Sequence, residues 1–331
     1  MAQRADRRCR ARRHVVRAQA PHTRRDHTID WFGAGILVAG VSSLLLYLAW
    51  AGPDHGWTSG LGLALLGGAI VLTALFILTE LRATEPIIPM ELFKSSIFST
   101  TNAMAVTVGL AMFGAIIFIP LYLQVVMDMT PTKSGLAMLP MVIGIFGTSI
   151  PSGNWVTKTG RYRPMPIASA TIVIAALLVL SLLNADSPYW LAALGLFVFG
   201  AGLGFSMQLL TVIVQNAVDP RHMGIATSTI TFFRTLGGTV GAALFGAVLN
   251  TRLAHHLAEN LGTTAGSPSV DTNDVSTIAG LPEPLRSDVI DAFASALHDV
   301  FISAIPIMLI ALVLSLFIKE IPLRTRATPG P

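Results

Sequence analysis

The sequence predicts an all-α, polytopic membrane protein with about eight transmembrane helices. Of the 331 residues, 53% are hydrophobic and only 12% are charged, and the mean hydropathy is +0.66. Because a soluble domain has about 25% charged residues, this composition excludes an ordinary globular domain. The apolar residues also fall into eight runs, each close to the roughly 20 residues that span a bilayer. These runs cover residues 31–50, 60–78, 103–127, 134–156, 165–183, 190–214, 223–249 and 300–318.

The first 30 residues differ from the rest of the chain. They contain nine arginines and no apolar run, so they lack the apolar region of a secretory signal. Three interpretations stay open: a cytoplasmic leader that sets topology and contacts anionic lipid, a misassigned start or truncated upstream region, and a transit-like or nucleic-acid-binding arm. Because aromatic residues for base stacking are absent, we expect no nucleic-acid partner.

The fourth run is the least regular of the eight. Pro140, Pro151 and several glycines interrupt it. Proline and glycine are tolerated in spanning helices that are buried against other helices, and they often mark the place where a helix bends. We therefore predict an interrupted or bent fourth helix.

One connection is long, and we predict that residues 250–299 form an outer loop. In its second half, Leu285, Val289 and Phe293 recur at near-helical spacing, which predicts an amphipathic helix lying on the outer face and leading into the last span. His255 and His256 are adjacent rather than four residues apart, so they do not form the pair that zinc prefers. We expect a solvated loop there and no metal site.

Basic residues indicate how the runs are oriented. With the N-terminus inside, the inner segments hold eighteen lysines and arginines, and the outer segments hold three, namely Lys133, Arg252 and Arg286. Cytoplasmic segments of membrane proteins carry such an excess of basic residues, and the bias persists without the leader. We predict a multi-pass protein of the cell membrane with both termini cytoplasmic, including a tail at 319–331.

Two polar faces lie within the sixth and seventh runs. Gly204, Gln208, Thr211 and Gln215 recur at helical spacing, which places them on one face. By the same count, one face of the seventh run holds Thr227, Thr231, Arg234, Gly238 and Gly241. Arg234, in the seventh run, is the one full charge in the middle of any run, and a cation there costs about 2.5 kcal/mol or more. Two interpretations stay open: Arg234 caps carbonyl groups and locks helix packing, or it lies near a transport path or its gate. Close helix approach is predicted at Gly200, Gly204, Gly237, Gly238 and Gly241.

The turn after the fourth run carries a recognisable motif at residues 153–163, Gly-Asn-Trp-Val-Thr-Lys-Thr-Gly-Arg-Tyr-Arg. From the residues alone, the second glycine permits a tight turn and the basic residues hold it on the cytoplasmic side. The stretch also resembles the short cytoplasmic signature loop of the major facilitator superfamily, although Thr157 occupies its acidic position. A charge relay in the gating turn is therefore not implied. The matching positions are Gly153, Lys158, Gly160, Arg161 and Arg163.

Four further stretches are similar to the fourteen-span drug:proton antiporter branch of that superfamily: IDWFG at 29–33, PMELF at 89–93, GLAMLP at 135–140 and RTLGGTVG at 234–241. The resemblance covers about residues 29–318. It implies that two linker helices (31–100) precede a six-helix C-terminal domain (101–318), and that an N-terminal six-helix domain is missing. No Asp or Glu lies inside the eight runs, so a proton-coupling carboxylate has no candidate here.

The resemblance also implies that the third and sixth runs line a central cavity. Aromatic, methionine and amide side chains there suit bulky, amphipathic, often cationic substrates, although such residues also serve packing. The candidate substrate-path residues are Tyr122, Gln124, Phe205, Met207, Gln208, Thr211 and Arg234.

The function implied by the resemblance is efflux of small amphipathic compounds by proton-coupled alternating access, which requires two bundles. A chain with one bundle pairs with a second chain, or it is a truncated, non-transporting fragment. We find no nucleophile–base pair, metal spacing or phosphate-binding loop in the sequence, so we expect neither an enzyme nor a cofactor.

Overall fold

The structure, a computed structural model, describes residues 30–51, 58–83, 86–261, 282 and 285–322. Within these residues every regular element is a helix, and eight helical segments are long and apolar enough to cross a membrane. This confirms the predicted all-α fold with eight spans. The predictions for the leader lie outside the described residues, as do those for the tail beyond residue 322.

Nine α-helices occur in the described residues, because two of them together make up the fourth span. A π-helical turn (Tyr47–Ala51) extends the first helix, and short 3₁₀ turns (Met90–Lys94 and Pro220–His222) precede two others. The helices are α1 (Trp31–Leu46), α2 (Gly60–Glu80), α3 (Ser96–Val125), α4 (Pro131–Ala137), α5 (Leu139–Thr159), α6 (Pro164–Ser181), α7 (Tyr189–Ala217), α8 (Met223–Leu261) and α9 (Leu285–Phe317).

Side-chain caps set where several helices begin. The side chains of Asp30, Ser59, Ser95 and Thr130 each accept a hydrogen bond from a backbone N–H three residues further on. Such caps satisfy N–H groups that have no partner within the helix. The sequence predicts the third span to begin at residue 103, whereas α3 begins at Ser96, because the cap starts the helix ahead of the most apolar residues.

The fourth span is interrupted, as predicted. Helix α4 ends at Ala137 and α5 begins at Leu139, with Met138 between them and Pro140 in the first turn of α5. Proline has no N–H for the helical ladder, and its ring clashes with the carbonyl of the preceding turn, so a continuous helix is not favoured at this point.

The six later spans share one hydrophobic core, in which α3 and α7 are the most buried. Helix α5 packs on α7, α6 packs on α7, α8 packs on α3, and α9 contacts α3, α6 and α8. Helices α1 and α2 pack on each other around a separate small cluster of Ile36, Phe76 and Ile88. The π-helical turn after α1 contacts α8.

Small residues allow two pairs of these helices to approach closely. A Cβ added to Gly200 of α7 would lie 2.0 Å from the carbonyl oxygen of Met141 in α5. A Cβ added to Gly237 of α8 would lie 2.2 Å from the carbonyl oxygen of Val106 in α3. Any larger residue would therefore push these helices apart. Added Cβ atoms would also meet atoms of the neighbouring helix at under 3 Å at Gly204, Gly238 and Gly241.

The connection between α8 and α9, predicted to be an outer loop, differs from the prediction at both of its ends. We call the end of the bundle that holds this connection the outer end and the opposite end the inner end, after the predicted orientation. Helix α8 continues to Leu261, so residues 250–261 are helical rather than loop, and α9 begins at Leu285, where a separate surface helix was predicted. Val289, Phe293 and Leu297 are buried in the core of the bundle, so this helix does not lie on the outer face. Acidic and histidine residues on the other side of α9 lower the average hydropathy there, although its apolar side packs like the rest of the span.

Candidate functional site

A polar face lies along α7 and α8, which are otherwise apolar spans. We define this polar face as Gln208, Thr211 and Gln215 of α7 together with Thr227, Thr231 and Arg234 of α8. Gln208 and Thr231 are exposed, and the other four residues are half-buried. Exposed polar groups at the depth of a bilayer are costly against lipid, so such a face belongs against water or against protein.

Two side-chain hydrogen bonds join α7 to α8 along this polar face. Gln215 Nε2 donates to Thr227 Oγ1 at 2.8 Å, and Arg234 Nη1 donates to the carbonyl oxygen of Met207 at 3.4 Å. The hydroxyl of Thr211 donates to the same carbonyl oxygen at 3.5 Å. The two faces predicted from helical spacing therefore contact each other.

Arg234 lies where α3, α7 and α8 meet. Its carbonyl oxygen packs against α3, where a Cβ added to Gly109 would lie 2.1 Å away, and its side chain reaches Met207 on α7. It lies eleven residues after Met223, roughly 16 Å along α8, which is well inside a hydrocarbon core of about 30 Å. Among the described residues, no Asp or Glu is paired with Arg234. The guanidinium therefore has donors available for a group from another surface.

The remaining predicted path residues occupy two kinds of position. Tyr122 is buried, and its hydroxyl donates to the carbonyl oxygen of Asn184 at 2.9 Å, so in this conformation it belongs to the packed outer end of the core. This differs from the expected place on an open path. Gln124, Phe205 and Met207 are half-buried.

The turn between α5 and α6 depends on Gly160. Its φ of +70° lies in the left-handed region, where glycine has no steric penalty, and its N–H donates to the carbonyl oxygen of Val156 at 2.8 Å. Arg163 Nη2 donates to the carbonyl oxygen of Leu316 at 3.3 Å, which joins the turn to α9. A Cβ added to Gly153 would meet no atom within 4 Å. The side chains of Lys158 and Arg161 are exposed.

Tyr162 in this turn was not predicted as a functional residue. Its side chain is 1% exposed, and its hydroxyl donates to the carbonyl oxygen of Lys319 at 2.9 Å and accepts from the N–H of Ile321 at 2.7 Å. Burial raises the pKa of the Tyr162 phenol, opposed by the Ile321 hydrogen bond and assisted by the charge of Glu320. In the sequence, only the position of this aromatic residue between two arginines could have indicated its role. We call its two hydrogen bonds to the segment after α9 the Tyr162 clamp.

A second polar cluster lies at the outer end of α8 and α9. His256 Nε2 lies 3.0 Å from Asp299 Oδ2, and Arg252 Nε lies 3.6 Å from the same oxygen. Glu259 Oε2 lies 3.4 Å from Nδ1 of both His255 and His256. Two cavities, of about 510 and 400 Å³, adjoin Asp299. The prediction of a solvated loop for the two histidines is wrong, because helix α8 continues through them.

Comparison with known proteins identifies the family. Residues 13–242 match the family model of the Major Facilitator Superfamily. An uncharacterized MFS-type transporter of Mycobacterium tuberculosis (strain ATCC 25618 / H37Rv) is 36% identical over 295 residues, which are 89% of this chain and 43% of that protein. The multidrug transporter protein MdtP of Bacillus subtilis (strain 168) is 32% identical over 323 residues, covering 90% of this chain and 60% of that protein. The chain thus spans about half the length of these two relatives.

Two further similarities are consistent with this assignment. The tetracycline resistance determinant of Streptomyces rimosus is 28% identical over 320 residues, covering 88% of this chain and 92% of that protein. The crystal structure of a bacterial homolog of the human lysosomal transporter Spinster, in an inward-facing and occupied conformation, aligns with a TM-score of 0.53 at 15% identity, covering 86% of this chain and 64% of that chain. At that identity the likeness shows the fold alone. With its family match across most of the chain and its eight spans, the chain belongs to the major facilitator superfamily.

Proposed function

We propose that this chain takes part in the efflux of small amphipathic compounds by proton-coupled alternating access, in the fourteen-span branch of the superfamily. The observation that carries the proposal is the polar face of α7 and α8, on which Gln208 and Thr231 are exposed within two apolar spans. Relatives named as a multidrug transporter and a tetracycline resistance determinant support a small-molecule substrate.

The exposure of the polar face favours a substrate path over a role in helix–helix packing alone. Gln208 and Thr231 are exposed, and Arg234 has one hydrogen bond to the α7 backbone. Burying such groups against lipid is costly, whereas water or a second bundle would satisfy them. Phe205 and Met207 beside Gln208 would give the path an adaptable apolar wall, which suits amphipathic substrates of varied shape. Tyr122 contributes packing at the outer end in this conformation.

A second bundle is part of this proposal. Alternating access requires two bundles that rock around a midplane site. A second chain would supply the other wall of the path, a carboxylate facing Arg234, and the acidic group that exchanges protons. Glu80, at the end of α2, is buried with its carboxylate accepting from the N–H groups of Ile87 and Ile88, so it serves the turn that follows α2. We place the protein in the cell membrane with both termini cytoplasmic.

An export assay tests the proposal. The chain would be expressed in cells without their own drug pumps, and retention of a cationic dye would be followed with and without a protonophore. We expect loss of dye that depends on the proton gradient. Export that appears only after six upstream spans are added would assign the chain to the C-terminal part of a pump. An inserted chain that exports no dye even then would be a non-transporting fragment.

A matched pair of variants isolates the polar face. Thr231 in α8 and Thr171 in α6 are both exposed on spanning helices, and each hydroxyl donates to the carbonyl oxygen four residues earlier. We expect Thr231→Val to reduce export several-fold and Thr171→Val to leave it unchanged. Unchanged export in Arg234→Gln would remove that residue from the proposed path.

A further inference from the structure

Three ligand atoms come together at the outer end of α8. Glu259 Oε2 lies 3.4 Å from His255 Nδ1 and 3.4 Å from His256 Nδ1, and one ligand atom from each residue lies within 4.8 Å of the others. Adjacent histidines point to different sides of a helix. Glu259, however, follows them by four and three residues, so its side chain lies between the two rings. The Glu259 carboxylate therefore lies close to both histidines, which would not face a common ion without it.

Two of the three ligand–ligand distances match those of a tetrahedral metal site. With metal–nitrogen bonds of about 2.0–2.1 Å and metal–oxygen bonds of about 2.0–2.2 Å, two ligand atoms of a tetrahedron lie roughly 3.4 Å apart. The two histidine–glutamate separations already have this length. Two imidazoles and one carboxylate are a ligand set that suits Zn²⁺, with a water molecule at the fourth position. Hard cations such as Mg²⁺ and Ca²⁺ prefer oxygen ligands alone.

A second observation comes from α9. His256 Nε2 lies 3.0 Å from Asp299 Oδ2, and the two side chains are only 24% and 28% exposed. A carboxylate at this place accepts an Nε2–H, and in the neutral ring with that proton the lone pair of His256 Nδ1 is directed at the Glu259 carboxylate. Two such acceptors repel each other unless a cation, which is either a metal ion or a proton, lies between them. A metal-binding histidine commonly donates its other N–H to a carboxylate in this way. Arg252 Nε lies 3.6 Å from the same oxygen.

We propose that His255, His256 and Glu259 bind a Zn²⁺ ion, and that Asp299 is a positioning residue which orients His256. The ion ties the extended end of α8 to α9 through the contact between His256 and Asp299. The site is separate from the polar face, since His255 follows Arg234 by 21 residues, roughly 31 Å along the helix. It therefore stands whether or not the proposed efflux function holds.

Metal titration of the whole chain tests this proposal. The purified protein in detergent, with any affinity tag removed, would be treated with a chelator and titrated with Zn²⁺ by calorimetry. In a parallel experiment, Co²⁺ would report tetrahedral coordination by its visible absorption. We expect one strongly bound Zn²⁺ per chain. The same result is expected in a chain whose leader histidines, His14, His22 and His27, are replaced by asparagine.

Substitutions distinguish the residues that bind the metal from residues that only lie near it. His256→Ala and Glu259→Gln should weaken Zn²⁺ binding at least tenfold and abolish the Co²⁺ absorption, and Asp299→Asn should weaken binding about 10- to 100-fold. His222→Ala, at the opposite end of α8, is the matched control and should bind normally. Absence of Zn²⁺ binding in folded protein would overturn the proposal. So would equal binding by the double variant H255A/E259Q, or a lower melting temperature in His256→Ala with metal binding unchanged.

Discussion

The two ends of the bundle are held together by different chemistry. At the inner end, the uncharged hydroxyl of Tyr162 binds backbone groups of the segment after α9, while the basic side chains of the same turn are mostly exposed. At the outer end, His256, Asp299 and Arg252 join α8 to α9 through ionisable side chains. The inner closure therefore depends mainly on hydrogen bonds to backbone groups, whereas the outer closure depends on charged and ionisable side chains and, under the proposal above, on a metal ion.

The largest expected effect concerns which end faces the cytoplasm, because it is all or none. In a Cys9→Ser background, Thr132→Cys at the outer start of α4 and Thr159→Cys at the inner end of α5 are both exposed positions. A membrane-impermeant maleimide applied to intact cells should label Thr132→Cys and leave Thr159→Cys unlabelled until the cells are opened. The reverse pattern would exchange the two ends and contradict the orientation drawn from the basic residues.

Loss of the Tyr162 hydroxyl should be the largest of the stability effects. Tyr162→Phe leaves the Lys319 carbonyl and the Ile321 N–H without this partner, and we expect about 1–3 kcal/mol of destabilisation. Thermal unfolding in detergent would measure it.

Tyr189→Phe is the matched control for that variant. Its hydroxyl makes one hydrogen bond, to the carbonyl oxygen of Ala137 at 3.0 Å, and the residue is 38% exposed. A smaller loss of stability is therefore expected. Equal losses in the two variants would show that the two hydrogen bonds of Tyr162 stabilise the protein no more than the single hydrogen bond of Tyr189.

Asp299→Asn should have a smaller effect at the outer end. It removes the charge that faces His256 and Arg252, both of which remain partly exposed, so we expect a loss of about 1 kcal/mol or less. The loss should shrink as salt is added, because exposed charges are screened. The exposed pair of Glu91 and Lys94 provides the control, and Glu91→Gln should leave the melting temperature unchanged. If Asp299→Asn lost more stability than Tyr162→Phe, the outer end would contribute more to stability than the inner end, contrary to this prediction.

The smallest effect should be a dependence on alkaline pH that belongs to the inner end. Because the pKa of Tyr162 is raised in the folded protein, the unfolded chain loses this proton first as pH rises. The contribution of Tyr162 to stability is therefore constant below its ordinary pKa of 10.0 and declines as pH rises through the folded value. Melting temperatures between about pH 8 and 11 should fall more steeply for the wild type than for Tyr162→Phe. Parallel curves would contradict this assignment.

Much of the fold could be predicted because its signals are local. Runs of apolar residues identified the eight spans, and Pro140 marked the break in the fourth. The outer ends of α8 and α9 were misjudged, since hydropathy averages both sides of a helix. One side of α9 carries Asp291 and His298, yet Phe293 is buried in the core.

The candidate site could be predicted only in part, for the same reason. Helical spacing grouped Gln208 with Thr211 and Gln215, because the period of a helix is a property of neighbouring residues. It could not show that Tyr162 reaches Lys319, 157 residues away, or that His256 meets Asp299, 43 residues away. Those contacts depend on how the helices pack, which spacing does not encode.

The length of α8 has a mechanical consequence. Its 39 residues extend roughly 58 Å, about twice the hydrocarbon thickness of a bilayer. The close crossing with α3 at Gly237 divides the helix into an inner arm of roughly 21 Å and an outer arm of roughly 36 Å. If α8 tilts as a rigid body about this crossing, its two arms therefore move by different distances. A tilt of about 10° about this crossing displaces the start of α8 by roughly 4 Å and its far end by roughly 6 Å.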